Sequence, residues 1–340
     1  MALTEQQLAD RLKYVTGSDA AVILGLSPWK GIVQLYQEKT GYIEQEDISD
    51  KPWIKAGNYL EPVIRQWFED ETGKRTISGE QASFAMNTGA FSQDDLEQLW
   101  ANPNMDFQSD QLIISPQYPW MAANVDGLLV DENAGLEIKT AWTSAGWGKG
   151  YEHEDNEIPA YYLCQVAHYA ITLDVDRFYI AVLIGGSDFR WYMYERNPRF
   201  EQILIEKEKE FYNAFTNENS PLPRTSDDVL HYYGALTNTT PKLADAATHM
   251  VAEELVRLKQ ERKEIDDQIG ASEETIKIFM SDSESLCGVD GKPLATWKMD
   301  KQGRSTVDSQ KLKKEKPDIY DQYVKISKPT RRFLLKLKGE

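Results

Sequence analysis

Leu60, Val63, Ile64, Trp67 and Phe68 fall at i, i+3, i+4, i+7 and i+8, the spacing that lines one side of an α-helix. A helix is predicted over 60–72, with Pro62 either in its first turn or kinking a longer helix begun near Trp53. Glu61 sits about 100° from Leu60, at the edge of the apolar stripe, as a cap or a site residue. A second periodic stretch puts Tyr162, Gln165, Val166, Tyr169, Ala170 and Leu173 on one face of a helix opened by Pro159. Gln165 and Tyr169 are its polar members, one turn apart; a buried Gln there can equally serve backbone groups. Shorter helices are predicted at 17–26, capped by Ser18 or Asp19, at 32–40, closed by Gly41, and at 198–217.

Strands are predicted at 111–115, 121–130, 135–140, 177–184 and 189–195, the last two joined by a Gly-Gly-Ser turn. Residues 83–105 read as a loop with one short helix at 93–100, and 142–157 as a mobile, turn-rich loop. Thus 106–217 runs β-β-β-α-β-β-α, with helical material before it. Pro221 and Pro223 open a linker or lid over 221–241. Beyond it, Leu243, Met250, Leu255, Leu258, Ile265, Ile269 and Ile276 predict a long charged helix over 242–281, with Gly270 breaking it into a pair. A hairpin around Asp290-Gly291-Lys292, a short helix near 308–323 and a basic strand at 324–337 complete the chain. The expected division is 1–220, a linker over 221–241, and an α+β extension over 242–340.

Composition narrows the function. With 340 residues, 41% of them apolar, and nine Trp, the chain can bury a large core. No apolar run reaches membrane-span length, and no cleavable signal pattern opens the chain, so a cytoplasmic location is expected. Two cysteines, Cys164 and Cys287, exclude a four-Cys cluster within one chain. A net charge of −17 argues against loose, sequence-independent adhesion to nucleic acid. The charge is uneven, however. Residues 241–340 carry 20 basic and 18 acidic residues, while 1–240 carry the remaining 18 and 37, a net of +2 against −19. The end of the chain, with Lys325, Lys328, Arg331 and Arg332, is either solvated surface or a DNA-holding patch.

Chemistry concentrates in Asn124–Ala141. Asp126 precedes a turn of DENAG composition at 131–135, and Glu137-Ile138-Lys139 follows it. Residues two apart on a strand share a face, so Glu137 and Lys139 point together while Ile138 points to a core. A hairpin would bring Asp126 beside Glu137. The result is either a charged solvent face or a site in which carboxylates hold a divalent metal and the lysine meets a water or phosphate oxygen.

In order, Glu61 on a helix, Asp126 and Glu137-x-Lys139 on a strand pair, and Gln165-x-x-x-Tyr169 on the next helix resemble the PD-(D/E)-x-K nucleases. Gly17–Lys30 (GSDAAVILGLSPWK) and Gly57–Ile64 (GNYLEPVI) sharpen the resemblance to the YqaJ-type phage recombination exonucleases, relatives of lambda exonuclease, over about residues 10–215. The acid here sits in Val-Asp-Gly where relatives have Pro-Asp-Gly, with Asn124 before it as a candidate phosphate contact. The resemblance implies a restriction-endonuclease-like α/β core, a mixed sheet flanked by helices. It implies two Mg²⁺ ions, replaceable by Mn²⁺, held by Asp126, Glu137, the Ile138 carbonyl and Glu61. Lys139 would act on the water or the developing charge, Gln165 on a phosphate or on Lys139, and Tyr169 as a brace. Arg11 and Ser18 would grip a 5′-phosphate, though Arg11 also reads as an exposed N-terminal arginine. The implied activity is a 5′→3′ exonuclease on linear double-stranded DNA, acting as a homotrimer beside a single-strand annealing protein. The alternatives are an endonuclease with the same core, or a scaffold that binds DNA ends or the annealing protein.

Overall fold

Five strands in the order β2-β5-β6-β7-β8 make the sheet on which the candidate site stands. The computed structural model describes residues 9–102, 112–151, 153–234, 240–299, 306–325 and 331–335. The chain divides into two units, Met1–Thr237 and Asn238–Glu340. In the first, β1 (Val15–Thr16), α1 (Gly17–Ile23), α2 (Ile32–Lys39) and α3 (Pro52–Thr72) lead into β2 (Thr76–Ser78). Then come α4 (Gly79–Thr88), α5 (Gln93–Ala101), β3 (Ile113–Ile114), β4 (Met121–Ala123), β5 (Gly127–Leu129) and β6 (Ala134–Ala141). The unit ends with α6 (Ala160–Leu173), β7 (Arg177–Ile184), β8 (Asp188–Glu195), α7 (Pro198–Thr216) and α8 (Ser226–Tyr233).

Within the five-stranded sheet, β2, β5 and β6 run antiparallel, and β7 is parallel to β6. A parallel neighbour requires a long crossover, which α6 supplies. One sheet face buries Leu129, Leu136, Ile138 and Ala181 under Ile64 and Phe68 of α3. The other buries Leu128, Ile180 and Val182 under Val166, Ala167 and Ala170 of α6. From α3 to β7 the order is α-β-β-β-α-β with α4, α5, β3 and β4 inserted, so the core is the expected restriction-endonuclease-like α/β fold.

Several elements differ from expectation. The predicted helix over 60–72 is the second half of α3, with Pro52 at its start and Pro62 inside it. The predicted strand over 121–130 is two strands in two sheets: β4 joins β1 and β3, and β5 joins β2 and β6. Residues 124–126 form the break. The loop expected at 83–105 holds α4 as well as α5. Ser78 caps α4, its hydroxyl accepting the Gln81 N–H (3.3 Å) while Gln81 Oε1 accepts the Ser78 N–H (2.9 Å). Thr16, rather than Ser18 or Asp19, is the N-cap of α1. The 142–157 loop, expected to be mobile, is anchored: Trp147 is buried between Tyr162 and Tyr192, and the Gly148 carbonyl accepts from Tyr192 Oη (2.5 Å) and Arg190 Nη1 (2.6 Å). The stretch read as a linker contains α8, whose buried Asp228 accepts the N–H of Val33 at the start of α2 (2.8 Å).

In the second unit, α9 (Ala246–Met280) runs unbroken through Gly270, whose penalty of about 1 kcal/mol is too small to divide 35 residues. A hairpin of β9 (Ser285–Cys287) and β10 (Pro293–Thr296) follows, then α10 (Ser309–Glu315) and α11 (Pro317–Tyr323), two helices where one was expected. The described residues of 324–337 form no strand, and Lys328 lies outside the described residues.

One buried ion pair holds β4. His168 Nδ1 meets both Glu208 oxygens at 2.9 Å, and Nε2 donates to the Ala122 carbonyl at 3.1 Å. The Ala122 carbonyl keeps a proton on Nε2, and Nδ1 shares a second proton with Glu208. Burial opposes charge on both partners: it raises the Glu208 pKa, while Glu208 outweighs it at His168 and raises that pKa as well. Glu208→Ala should cost about 3–5 kcal/mol in urea unfolding, because it breaks a buried pair and leaves His168 Nδ1 without its partner. A loss below about 1 kcal/mol would show that the pair is not holding the core.

Candidate active site

The β5–β6 ladder sets Gly127 against Leu136 and Leu128 against Gly135. Asp126, one residue before the ladder, is therefore level with Glu137. There its carboxylate takes the place of a backbone partner: Oδ2 accepts the Ile138 N–H at 2.6 Å. Alternation along β6 sends Ile138 into the core under α3 and turns Glu137 and Lys139 toward α6. Glu137 Oε1 accepts from Lys139 Nζ and, at 2.9 Å, from Gln165 Nε2. Gln165 also donates to Tyr169 Oη (2.9 Å), and the Lys139 ammonium lies 4.9 Å from the centre of the Tyr162 ring. The structure thus brings Asp126, Glu137, Lys139, Gln165 and Tyr169 together.

Glu61 approaches from α3 and shares Arg65 with the hairpin. Arg65 donates to Glu61 Oε1 (3.3 Å), the Asp126 carbonyl (2.6 Å) and the Ile77 carbonyl (3.2 Å). Gly127 makes room for it, since a Cβ there would stand 2.5 Å from both Arg65 Nη1 and the Ile77 oxygen. Sequence reasoning missed Arg65. The available signals were its place one helical turn after Glu61 and the glycine directly after Asp126.

The second cluster lies at the start of α1. Arg11 Nη2 donates to Ser18 Oγ at 2.7 Å and to Thr16 Oγ1 at 3.4 Å. Beneath it, buried Asp19 accepts from the Thr16 N–H and hydroxyl, both at 2.9 Å, and pairs with Lys39 at 2.7 Å. Burial works against the Asp19 charge, but Lys39, Lys30 and Arg11 outweigh it and hold the carboxyl at about 2. Tyr169 joins the two clusters. Its ring lies so close to Gly17 that a Cβ there would stand 2.4 Å from Cε1.

Electrostatics at the first cluster are unbalanced. Burial, then repulsion from Asp126, pushes Glu137 up to about 8 against the pull of Lys139. Burial and Glu61 likewise raise Asp126, against Lys139, the Ile138 N–H and Arg65. Lys139 is opposed by burial but raised overall by Glu137 and Asp126, so it stays an ammonium. Glu137 Oε2 and Asn124 Oδ1 are buried with no hydrogen-bond partner. Asn124 Oδ1 is an acceptor, and Glu137 Oε2 becomes one when the carboxyl is ionised, which fits a cation or its water better than an anion. Among the described residues no group of three or more His, Cys, Asp or Glu is drawn together to hold a metal. The carboxylates that could hold one are the Asp126–Glu137 pair, hard oxygens of the kind Mg²⁺ and Mn²⁺ accept.

A family model described as the YqaJ-like viral recombinase domain matches residues 7–176. The uncharacterized protein YqaJ of Bacillus subtilis (strain 168) is 31% identical over 341 residues, covering 98% of this chain and 94% of that protein. Among solved structures, an alkaline exonuclease (LHK-Exo) from Laribacter hongkongensis is similar at 14% identity and a TM-score of 0.41, over 64% of this chain and 94% of that one. A phage related exonuclease from Haemophilus somnus 129PT is similar at 10% identity and a TM-score of 0.38, over 60% and 96%. The first two matches carry the relationship.

The raised Glu137 pKa has a signed consequence. Folded, Glu137 keeps its proton up to about 8; unfolded, it releases it near the ordinary 4.5. The folded chain binds more protons between those values, so in EDTA this group's contribution to stability is lost as pH rises from about 4.5 to 8. Glu137→Gln should flatten that dependence and melt on the order of 2–4 °C higher at alkaline pH, the shift about 1 kcal/mol makes in a domain this large. A variant that melts lower than wild type there would contradict the charge imbalance.

Proposed function

We propose, from the premise that this chain belongs to the YqaJ-like viral recombinase family, that it is a metal-dependent 5′→3′ exonuclease on linear double-stranded DNA. The observation that carries this reading is the Asp126–Glu137 pair, with buried Glu137 Oε2 unpartnered beside a charged lysine. Asp126 and Glu137, with the Ile138 carbonyl, would hold Mg²⁺, which Mn²⁺ replaces; Glu61 would support a second ion. Bound there, the metal neutralises phosphate charge and lowers the pKa of the attacking water.

The chain's own groups do the rest. A water oxygen bonds to phosphorus, the bond to the 3′-oxygen breaks, the water's proton leaves to solvent, and the 3′-oxygen is protonated. Lys139 keeps its proton, so its role is to stabilise charge developing on the phosphate rather than to act as a base. Gln165 positions Glu137, which in turn holds Lys139, and Tyr169 braces Gln165 against α1. Asn124 would contact the substrate phosphate through bound water. Arg11 and Ser18 would receive the 5′-phosphate, Arg11 by its guanidinium fork. Tyr169 supports this pairing of subsites by fixing the distance between them.

In this reading the product is a 3′ single-stranded overhang for a single-strand annealing protein, and the enzyme is a homotrimer with DNA in a central channel. An acidic exterior around such a channel suits the uneven charge. Among the described residues no helix is long and apolar enough to cross a membrane. We place the protein in the cytoplasm, that of the bacterial host if a phage encodes it.

Asp126→Ala, Glu137→Ala and Lys139→Ala should each lower nucleotide release from linear duplex in Mg²⁺ by roughly 10³-fold, without loss of folding. Near-wild-type release by any of them removes that residue from the mechanism. Ca²⁺ should support binding with little cleavage.

Linear duplex with a 5′-phosphate should be digested faster than the 5′-hydroxyl form, and Arg11→Ala should shrink the difference. Equal wild-type rates on the two ends would remove the 5′-pocket. Comparable nicking of closed circles would establish the endonuclease alternative, and binding of ends without cleavage the scaffold.

A further inference from the structure

The long helix α9 carries an apolar seam with a seven-residue period. Val251, Leu258, Ile265 and Phe279 share one register of that period. Leu255, Ile269 and Ile276 share a second, so that the two registers alternate by four and three residues. These are the d and a positions of a heptad, held over the full helix, with Thr248, Arg262 and Ser272 in the remaining places. A strict seven-residue repeat keeps one seam turned toward a partner helix, whereas an ordinary surface helix needs no such regularity. The seam is open: Val251 is 68% exposed, Ile265 55% and Phe279 77%, and Met280 is the helix's one buried residue. A helix of about 52 Å leaving that stripe in water lacks the packing that orders long charged helices.

We propose that this seam pairs two copies of the chain as an antiparallel two-stranded coiled coil. Flanking charges select both partner and orientation. In a parallel, in-register pair, Arg262 would face its own copy across the core, and Glu261 would face Asp266 at the flank. Both contacts are repulsive, and Glu254 facing Lys259 offsets only the second. Reversing one helix about its midpoint sets a positions against d positions along the whole length. Ile276 then packs on Val251, Ile269 on Leu258, and the Arg262 stem on Ile265. At the flanks Lys259 meets Asp266 twice, Glu261 meets Gln268, and Glu254 meets Thr275, so no like-charged pair remains. The Arg262 head is already turned aside, its Nε 3.5 Å from Asp266 Oδ2 of the same helix. A surface complementary to itself after a two-fold turn is the property of an isologous contact. Such a pair joins chains two by two, and so links three-fold rings rather than closing one.

The test uses the full-length chain and needs no hydrolysis, so its failure is separable from failure of the nuclease reading. Light scattering should give Ile265→Lys/Ile269→Lys half the mass of wild type, with unchanged near-ultraviolet circular dichroism. Orientation is read by oxidation in a Cys287→Ser background, which removes the exposed native thiol. Val251→Cys mixed with Ile276→Cys should cross-link, and Val251→Cys alone should not. Equal masses would overturn the pairing, including the case in which the seam binds only another protein's helix. Self-cross-linking of Val251→Cys without the mixed product would overturn the antiparallel arrangement.

Discussion

The hydrogen bond from the Ile138 N–H to the Asp126 carboxylate is the contact on which the candidate site depends. It sits where β5 would otherwise continue pairing with β6. Because the chain breaks at 124–126 to change sheets, a side chain there can take a ladder donor and remain beside Glu137. A continuous strand would occupy that donor with a backbone carbonyl. Arg65 reinforces the break by binding the Asp126 carbonyl, and His168 fixes the other side through Ala122. Each is a long-range tie to a helix, so α3 and α6 determine the geometry of a three-residue segment between two sheets.

Placing two carboxylates against a buried lysine leaves a deliberate electrostatic deficit. Lys139 and Gln165 satisfy one oxygen of Glu137; among the described residues the other has no hydrogen-bond donor, and beside Asp126 the carboxyl holds its proton up to about 8. Burial of charge without full compensation costs stability, and active sites are where such costs persist. A cation would remove the deficit, which is why the same arrangement that weakens the empty chain suits phosphate chemistry. Tyr169 extends the organisation to the Arg11–Ser18 cluster, so that helix α6 serves both ends of the proposed substrate path.

Much of this was legible in the sequence. Period-two alternation around DENAG fixed which of Glu137, Ile138 and Lys139 share a face, and one helical turn joined Gln165 to Tyr169. Helix α4 was missed, its stretch being read as loop, although Ser78 and Gln81 are spaced as a capping box. What else escaped was non-local. Arg65 looks like any solvated arginine on a polar helix face, because its partners are carbonyls of Ile77 and Asp126. The break at 124–126 escaped although Asn124, Asp126 and Gly127 mark it, because local composition does not say which strands the two apolar halves will pair with. Helix α8 was hidden by Pro221 and Pro223, and it is held by a bond from Val33 to Asp228 across 195 positions.

The central claim is that Glu137 Oε2 and Asp126 face a cation. Anomalous diffraction from crystals grown with Mn²⁺ addresses it directly. The account predicts a manganese peak bonded to Glu137 Oε2 and to an Asp126 oxygen at about 2.0–2.2 Å, close to the distances of Mg²⁺, with Lys139 outside its coordination sphere. Density in which Oε2 is instead bonded to a protein donor, with no manganese between the two carboxylates, would contradict it.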